Sequence, residues 1–228
     1  MSLHLKDLAL KTPLAPFRRF RRGLKVRPRG DLAFLGSEYG GWTVPADLVE
    51  PGWVCYSAGV GDDITFDLAF IERFGCDVYA FDPTPSSVEF VQEAAADEPR
   101  FHFHRWGIWS RDEVLRFYAP DYSDTNFSVV NLHSTEEFFE APCRSLTSSM
   151  EVLGHRRLDL LKLDIEGAEY DVLGSLMASK LRPTVICAEF HKTASIARIH
   201  QTTNRVRSSG YAAVAVHGYD VTFVHTKA

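Results

Sequence analysis

The sequence has no apolar run near the roughly 20 residues that cross a bilayer as a helix. Its opening stretch, MSLHLKDLALKTPLAPFRRFRRG, lacks the uninterrupted apolar core and the cleavage site of a secretory signal. These two absences lead us to expect a soluble, cytoplasmic protein with no membrane span. Cysteine is scarce: Cys55, Cys76, Cys143 and Cys187 lie far apart and form no C-x-x-C pair. Such spacing argues against a disulfide framework or a zinc site, and for reduced thiols used as small core residues. Positive charge is not in excess either. The 25 Lys and Arg against 30 Asp and Glu leave a net charge of −5, the wrong sign for a chain drawn electrostatically to nucleic acid. No internal repeat is visible.

What is there is an ordinary globular mixture, 45% apolar and 24% charged over 228 residues, enough for one well-filled core. The one strong bias lies between Lys11 and Arg29, where every charged residue is basic and Pro13, Pro16 and Pro28 break the chain. Residues 1–50 are therefore expected to be a basic arm or extension, solvated or in contact with an anionic surface, and residues 51–228 the main domain.

From residue 53 onward, strand and helix patterns alternate. WVCYSA is a buried strand, after which Asp62 or Asp63 can cap a helix carrying Ile64, Leu68, Ile71 and Phe74 inward. DVYAF is the next strand, followed by a helix beginning at Ser86 or Ser87 with Val88, Val91 and Ala95 on one face. RFHFHR alternates strictly, so His102 and His104 share one face of a strand and are poor candidates for ligands. VLRFYA and FSVVNL predict two more strands in an antiparallel insertion. Ser148 can cap a short helix ending near Gly154, LDLLKLD and TVICAEF are buried strands, and between them EGAEYDVLGSLM predicts a helix with Ile165, Ala168, Val172 and Leu176 inward. A helix near 195–208, with Ile196, Ile199, Thr203 and Val206 inward, leads to YAAVAV and VTFVHT. The link His217-Gly218-Tyr219-Asp220 permits only an antiparallel pair. The expected fold is α/β: a mostly parallel, doubly wound sheet with a terminal antiparallel pair and a small β insertion, its ligand outside the strands' carboxyl ends.

The stretch Ser57-Ala58-Gly59-Val60-Gly61 falls between a strand and a helix start, and Asp82 ends the following strand 21 residues after Gly61. Small residues allow a ligand close to the backbone, and an acid at the second strand's tip can accept ribose hydroxyls. A nucleoside site follows. On this reading Gly59→Val is expected to abolish binding and keep the fold. A nicotinamide dinucleotide places its pyrophosphate at the helix N-terminus, where Asp62 and Asp63 would repel it. An NAD-dependent oxidoreductase is therefore the alternative rather than the first choice, and a cationic sulfonium is better suited. The reversed terminal strand resembles methyltransferases that use S-adenosylmethionine.

LDLLKLDIEGAEYDVL is similar to the signature of FkbM-type methyltransferases, in which a fourth strand ends in Lys-x-Asp-x-Glu-Gly-x-Glu. Lys162, Asp164, Glu166, Gly167 and Glu169 take those places. YAFDPTPSS, RWGIWSRD and VICAEFH resemble the same family's second strand, the loop after its third strand and its fifth strand, so the likeness runs from about residue 38 to about 225. It implies a Rossmann-like class I fold and methyl transfer from S-adenosylmethionine to a hydroxyl of a small-molecule, sugar or lipid-like acceptor. The implied cofactor contacts are Ser57, Ala58, Gly59, Gly61, Asp82, Pro83 and Asp164, with Trp106, Gly107 and Ile108 around the adenine. For catalysis the favoured residues are His191 as base, since it can take a proton near neutral pH, with Asp164, Glu166 and Glu189. No metal is expected, although Asp164, Glu166, Glu189 and His191 together offer an oxygen-rich set. Two places depart from the pattern, Cys55 where the family commonly has an acid and Ser57 where it has a glycine. Asp62, Asp164 or a residue of EYGGW (38–42) is then needed to replace the acid. The departures also leave open a nucleoside-binding homologue without catalysis.

Overall fold

The computed structural model describes residues 23–120, 126–131, 134–191 and 194–227; the basic residues from Lys11 to Arg22 lie outside them. Twelve strands among the described residues make three sheets. The central sheet contains β3 (Val54–Ala58), β4 (Asp77–Phe81), β5 (Phe101–His104), β9 (Leu160–Leu163), β10 (Val185–Glu189), β11 (Tyr211–His217) and β12 (Asp220–His225), in the order β11-β12-β10-β9-β3-β4-β5. All its pairings are parallel except those of β12, which runs antiparallel to both β10 and β11. The expected α/β architecture is present, and strand order reverses between β3 and β9.

Helices cover both faces, as parallel strands buried on two sides require. Along β3, Cys55 faces a core under α1 (Thr65–Phe74) and α2 (Pro85–Ala94), whereas Tyr56 and Ala58 face a second core under α3 (Leu146–Leu153), α4 (Glu169–Ala178) and α5 (Ile196–Ser208). Leu24 is buried in this second core, and β1 (Leu32–Leu35) pairs with β2 (Trp42–Pro45) to bring Leu35, Trp42 and Val44 into the first. No strand was legible before residue 53, because four-residue segments carry too few alternations to stand out.

Several elements differ from expectation. FSVVNL forms no strand among its described residues beyond one antiparallel bridge, Tyr118 with Ser128. The partner of β7 (Glu113–Tyr118) is β8 (Phe138–Ser145), which also takes β6 (Gly107–Trp109) in parallel. The α3 cap is Ser145, whose side chain accepts from the Ser148 N–H, and not Ser148 itself. α2 starts earlier than Ser86, at Pro85, a residue preorganised for the first helical position. α1 buries Phe66, Phe70 and Ile71, whereas Leu68 and Phe74 are only half-buried. α4 starts at Glu169, so Ile165 and Glu166 lie in the preceding turn. Ile196 is exposed at the start of α5. The antiparallel link is only Gly218-Tyr219.

His102 and His104 behave as packing groups. His102 bonds Asp77 at 2.8 Å and stacks on Tyr79 at 4.6 Å, and His104 packs against Phe81 and Trp106 at 5.3 and 4.5 Å. Burial, helped by the nearby His102 and His155, pushes His104 down to about 4. A histidine whose folded pKa lies below its unfolded value stabilises the fold above about pH 6.5 and loses that contribution as pH falls toward 4. The urea midpoint of wild type is accordingly expected to drop across pH 6.5 to 4 more steeply than that of His104→Phe, measured by fluorescence at a series of pH values.

Candidate active site

The reversal in strand order places the carboxyl ends of β3 and β9 side by side, and the cleft opens above them. After Ala58 the chain turns through Gly59 (φ +85°) and Gly61 (φ +56°). A Cβ on Gly59 would sit 1.7 Å from the Asp164 carbonyl oxygen, whereas one on Gly61 would meet nothing within 4 Å. Gly59 is thus required first by the packing of two backbones. That overturns the expectation that Gly59→Val keeps its fold, since the side chain would collide with β9's continuation before any ligand was involved. The turn is pinned from beneath by Lys162, which is buried and donates to the Gly59 carbonyl at 2.8 Å, with its ammonium 3.8 Å from Asp164.

From the side it is pinned by Asp82. Oδ2 accepts the N–H groups of Val60 and Gly61 at 3.0 and 3.1 Å, and Oδ1 accepts that of Thr84 at 2.8 Å. A carboxylate has about four lone-pair positions, so three are committed to backbone and one remains. Asp63, rather than Asp62, holds the start of α1, accepting from the Thr65 N–H at 2.8 Å and from the hydroxyls of Thr65 and Ser37. Burial alone would raise its pKa, but these bonds outweigh it and hold the carboxyl low.

Across the cleft, β9 is followed by Asp164, then by Glu166 and Gly167 in left-handed conformations with φ of +52° and +101°. Glu166 does not belong to the helical first turn expected for it. Its carboxylate instead pairs with His191 Nε2 at 2.9 Å through Oε2 and accepts from Asn126 Nδ2 at 3.0 Å through Oε1. Asp164 caps no helix, since α4 begins beyond Ala168. His191 follows β10 and the fully buried Phe190, and its carbonyl accepts from the Tyr170 hydroxyl at 3.0 Å. Burial works to lower the His191 pKa, but the bond to Glu166 and the surrounding carboxylates raise it overall. Glu189 is pushed well above the usual carboxylate range by burial and then by Asp164, Asp220 and Glu166.

These groups share one cavity of about 1190 Å³, larger than the range typical of a single small ligand. Of the residues expected at the site, Gly59, Gly61, Asp82, Pro83, Gly107, Ile108, Asp164, Glu166, Glu189 and His191 line it. Ser57, Ala58 and Trp106 do not. Ser57 and Ala58 are buried within β3, and Trp106 turns toward α3, its indole N–H donating to Ser149 at 3.3 Å. Cys55 also lies in the core, so its departure from the family pattern does not touch the cleft, where Glu38, Asp62 and Asp164 supply carboxylates. Among the described residues, no group of three or more His, Cys, Asp or Glu is arranged to hold a metal ion.

The sequence reading had no role for Asn126, for Phe117 and Phe127 on the apolar wall, or for Asp220 in the terminal hairpin. Asn126 precedes FSVVNL and Phe127 opens it, and the strand-like pattern of that segment gave no sign that its start would face a cleft. Asp220 had only its place in a short link, which indicated a turn and not what the turn would face.

Residues 57–212 match the methyltransferase FkbM domain. The chain belongs to the FkbM methyltransferase family. S-adenosylmethionine is accordingly the cofactor. Similar curated proteins include the probable methyltransferase-like protein 24 of Rattus norvegicus, 32% identical over 123 residues, 54% of this chain and 28% of that protein. That of Homo sapiens is 30% identical over 122 residues, 54% of this chain and 27% of that protein. The match thus spans little more than a quarter of these relatives. Among solved structures, a precorrin-6y C5,15-methyltransferase from Geobacter metallireducens GS-15 aligns with TM-score 0.45 at 8% identity, over 77% of this chain and 81% of that one. Aeropyrum pernix fibrillarin with natively bound S-adenosyl-L-methionine gives 0.45 at 8% identity, over 89% and 85%.

Gly59→Ala in this FkbM-family chain is expected to lose roughly 3 kcal/mol or more, combining left-handed strain with a backbone collision, as read by denaturant unfolding. Asp82→Ala strips three backbone N–H groups of their acceptor. It is expected to lower the unfolding free energy by about 1–3 kcal/mol and to weaken S-adenosylhomocysteine binding in calorimetry. Full retention of stability would show that the turn does not depend on this carboxylate.

Proposed function

We propose that the chain is an S-adenosylmethionine-dependent O-methyltransferase whose acceptor is the hydroxyl of a small-molecule, sugar or lipid-like compound. The observation that carries the reading is the Glu166–His191 pair, a positioned base beside the turn at the switch point of the sheet. The cleft suits the cofactor chemically. Gly61 leaves open space at the turn, Asp82 keeps one lone pair for a ribose hydroxyl, and Asp62 and Asp164 offer negative charge to a cationic methionine end. Pro83, Gly107 and Ile108 supply a small, apolar place for the adenine. When bound, S-adenosylmethionine supplies a methyl group already activated by positive sulfur.

What is left to the protein is orientation and removal of the acceptor's proton. Glu166 accepts the Nε2 proton of His191 and so selects the tautomer in which Nδ1 carries the free lone pair. Nδ1 is buried and has no hydrogen-bond partner among the described residues, so on this reading the acceptor hydroxyl reaches it only as the side chains around it give way on binding. A basicity lifted above that of ordinary histidine brings His191 nearer the working pH, where a general base is most effective. As the proton arrives, the imidazolium is stabilised by Glu166 at 2.9 Å. Phe117, Phe127 and Val129 form an apolar wall for the body of the acceptor, consistent with a neutral, partly apolar molecule. No helix among the described residues is long and apolar enough to cross a membrane.

The test begins with a metabolite screen using isotopically labelled methyl donor, to find an acceptor. With it, His191→Ala is expected to lower the methyl-transfer rate by roughly 10²- to 10⁴-fold while S-adenosylhomocysteine affinity holds. The wild-type rate should rise with pH as His191 loses its proton. Because the pKa is raised, that limb lies above pH ~6.5, and it disappears in the variant. Near-normal turnover with the same profile would remove His191 from the role.

A further inference from the structure

We propose that Glu169 is a positioning residue that holds His191 against Glu166 by tying together the backbones on which the two side chains stand, and thereby sets the basicity of the base. The inference rests on the reading of His191 as that base.

Strands β9 and β10 are parallel neighbours, with Leu163 opposite Ala188, so the turn after β9 and the segment after β10 leave the sheet side by side. Glu169, the first residue of α4, has one carboxylate oxygen for each. Oε2 accepts the Gly167 N–H at 2.7 Å and Oε1 accepts the His191 N–H at 3.0 Å. A left-handed conformation at a non-glycine residue such as Glu166 persists only where surroundings over-determine it. Two bonds do so here, the Ser128 hydroxyl to the Glu166 carbonyl at 2.6 Å and the Glu169 carboxylate to the next N–H. Of these, Glu169 is the one that also reaches His191.

Its burial is the second observation. A carboxylate whose only task was to favour a helix N-terminus could remain in water, as Asp171 does in the same turn with its side chain 45% exposed. Glu169 is 0% exposed. Burial raises its pKa to about 7, opposed by the N–H bonds and the nearby His191. Glu166 faces the same corner, and Tyr170 packs there too, with its hydroxyl on the His191 carbonyl. A group held in so unfavourable a place meets two donors that no other side chain of the described residues is shown to satisfy. Without its carboxylate both N–H groups lose their acceptor, the turn relaxes, and Glu166 drifts from Nε2. Burial then governs His191 and lowers its pKa.

The experiment follows the His191 imidazole by ¹H–¹⁵N NMR titration in the full chain, for wild type, E166Q and E169Q. Wild type should titrate above the ordinary ~6.5. E166Q should lower the midpoint by removing the partner, and E169Q should lower it too, in part because the Glu169 charge itself supports the imidazolium. If E166Q leaves the midpoint unchanged, the His191–Glu166 reading itself fails. If E166Q lowers it and a folded E169Q does not, Glu169 serves stability alone and the proposal is overturned. E169D separates position from charge, because it keeps the carboxylate but is one methylene too short to reach both N–H groups. A lowered midpoint in E169D supports the proposal, and an unchanged one overturns it.

Discussion

The backbone of Gly59 lies so close to the Asp164 carbonyl that no side chain fits between them, and the arrangement of the cleft depends on that approach. It brings the ends of β3 and β9 together where strand order reverses, the place at which open α/β sheets bind ligands. Lys162 secures it by donating to the Gly59 carbonyl from inside the sheet. A buried ammonium is tolerated there because it has this acceptor and a carboxylate nearby. The same turn presents its next two N–H groups to Asp82, which joins β4 to the corner. One close contact and two charged groups therefore align three strand tips.

The opposite side of the cleft and the buried corner behind it use carboxylates in different states. Glu166 is paired with a histidine, Glu169 is buried on two backbone donors, and Glu189 is kept high by burial and by its acidic neighbours. Like charges this close raise one another's pKa unless a cation intervenes. A cofactor with a sulfonium and an ammonium brings positive charge to such a place, whereas a pyrophosphate would add to the repulsion. The electrostatics and the family membership point to the same ligand from independent directions.

The apolar wall comes from elsewhere in the chain. Phe117 belongs to the small sheet, which β8 completes from a distance of some twenty residues, and Phe127 lies between them. The β1–β2 pair closes the cleft with Glu38 to Trp42, tied to the sheet by the Thr222 hydroxyl on the Thr43 carbonyl at 2.6 Å. One part of the cleft is thus built by the ends of parallel strands, and its apolar wall by insertions.

The sequence by itself determined the elements whose residues carry a local, physical signal: the buried strands VCYSA, DVYAF, LLKL and VICAE, the glycine turn, and the Lys-x-Asp-x-Glu-Gly-x-Glu run that names the family. Burial on two faces, a conformation open to glycine and an unusual density of charge at a strand end all leave marks within a few residues of chain. Only the tertiary structure decided that β8 and not FSVVNL pairs with β7, that Gly59 is held by Asp164 before any ligand is considered, and that Glu169 faces His191 from 22 residues away. Those outcomes are set by which segments lie side by side in the folded sheet. Such adjacency arises from packing across long sequence separations, and it leaves no periodicity in the chain to be read.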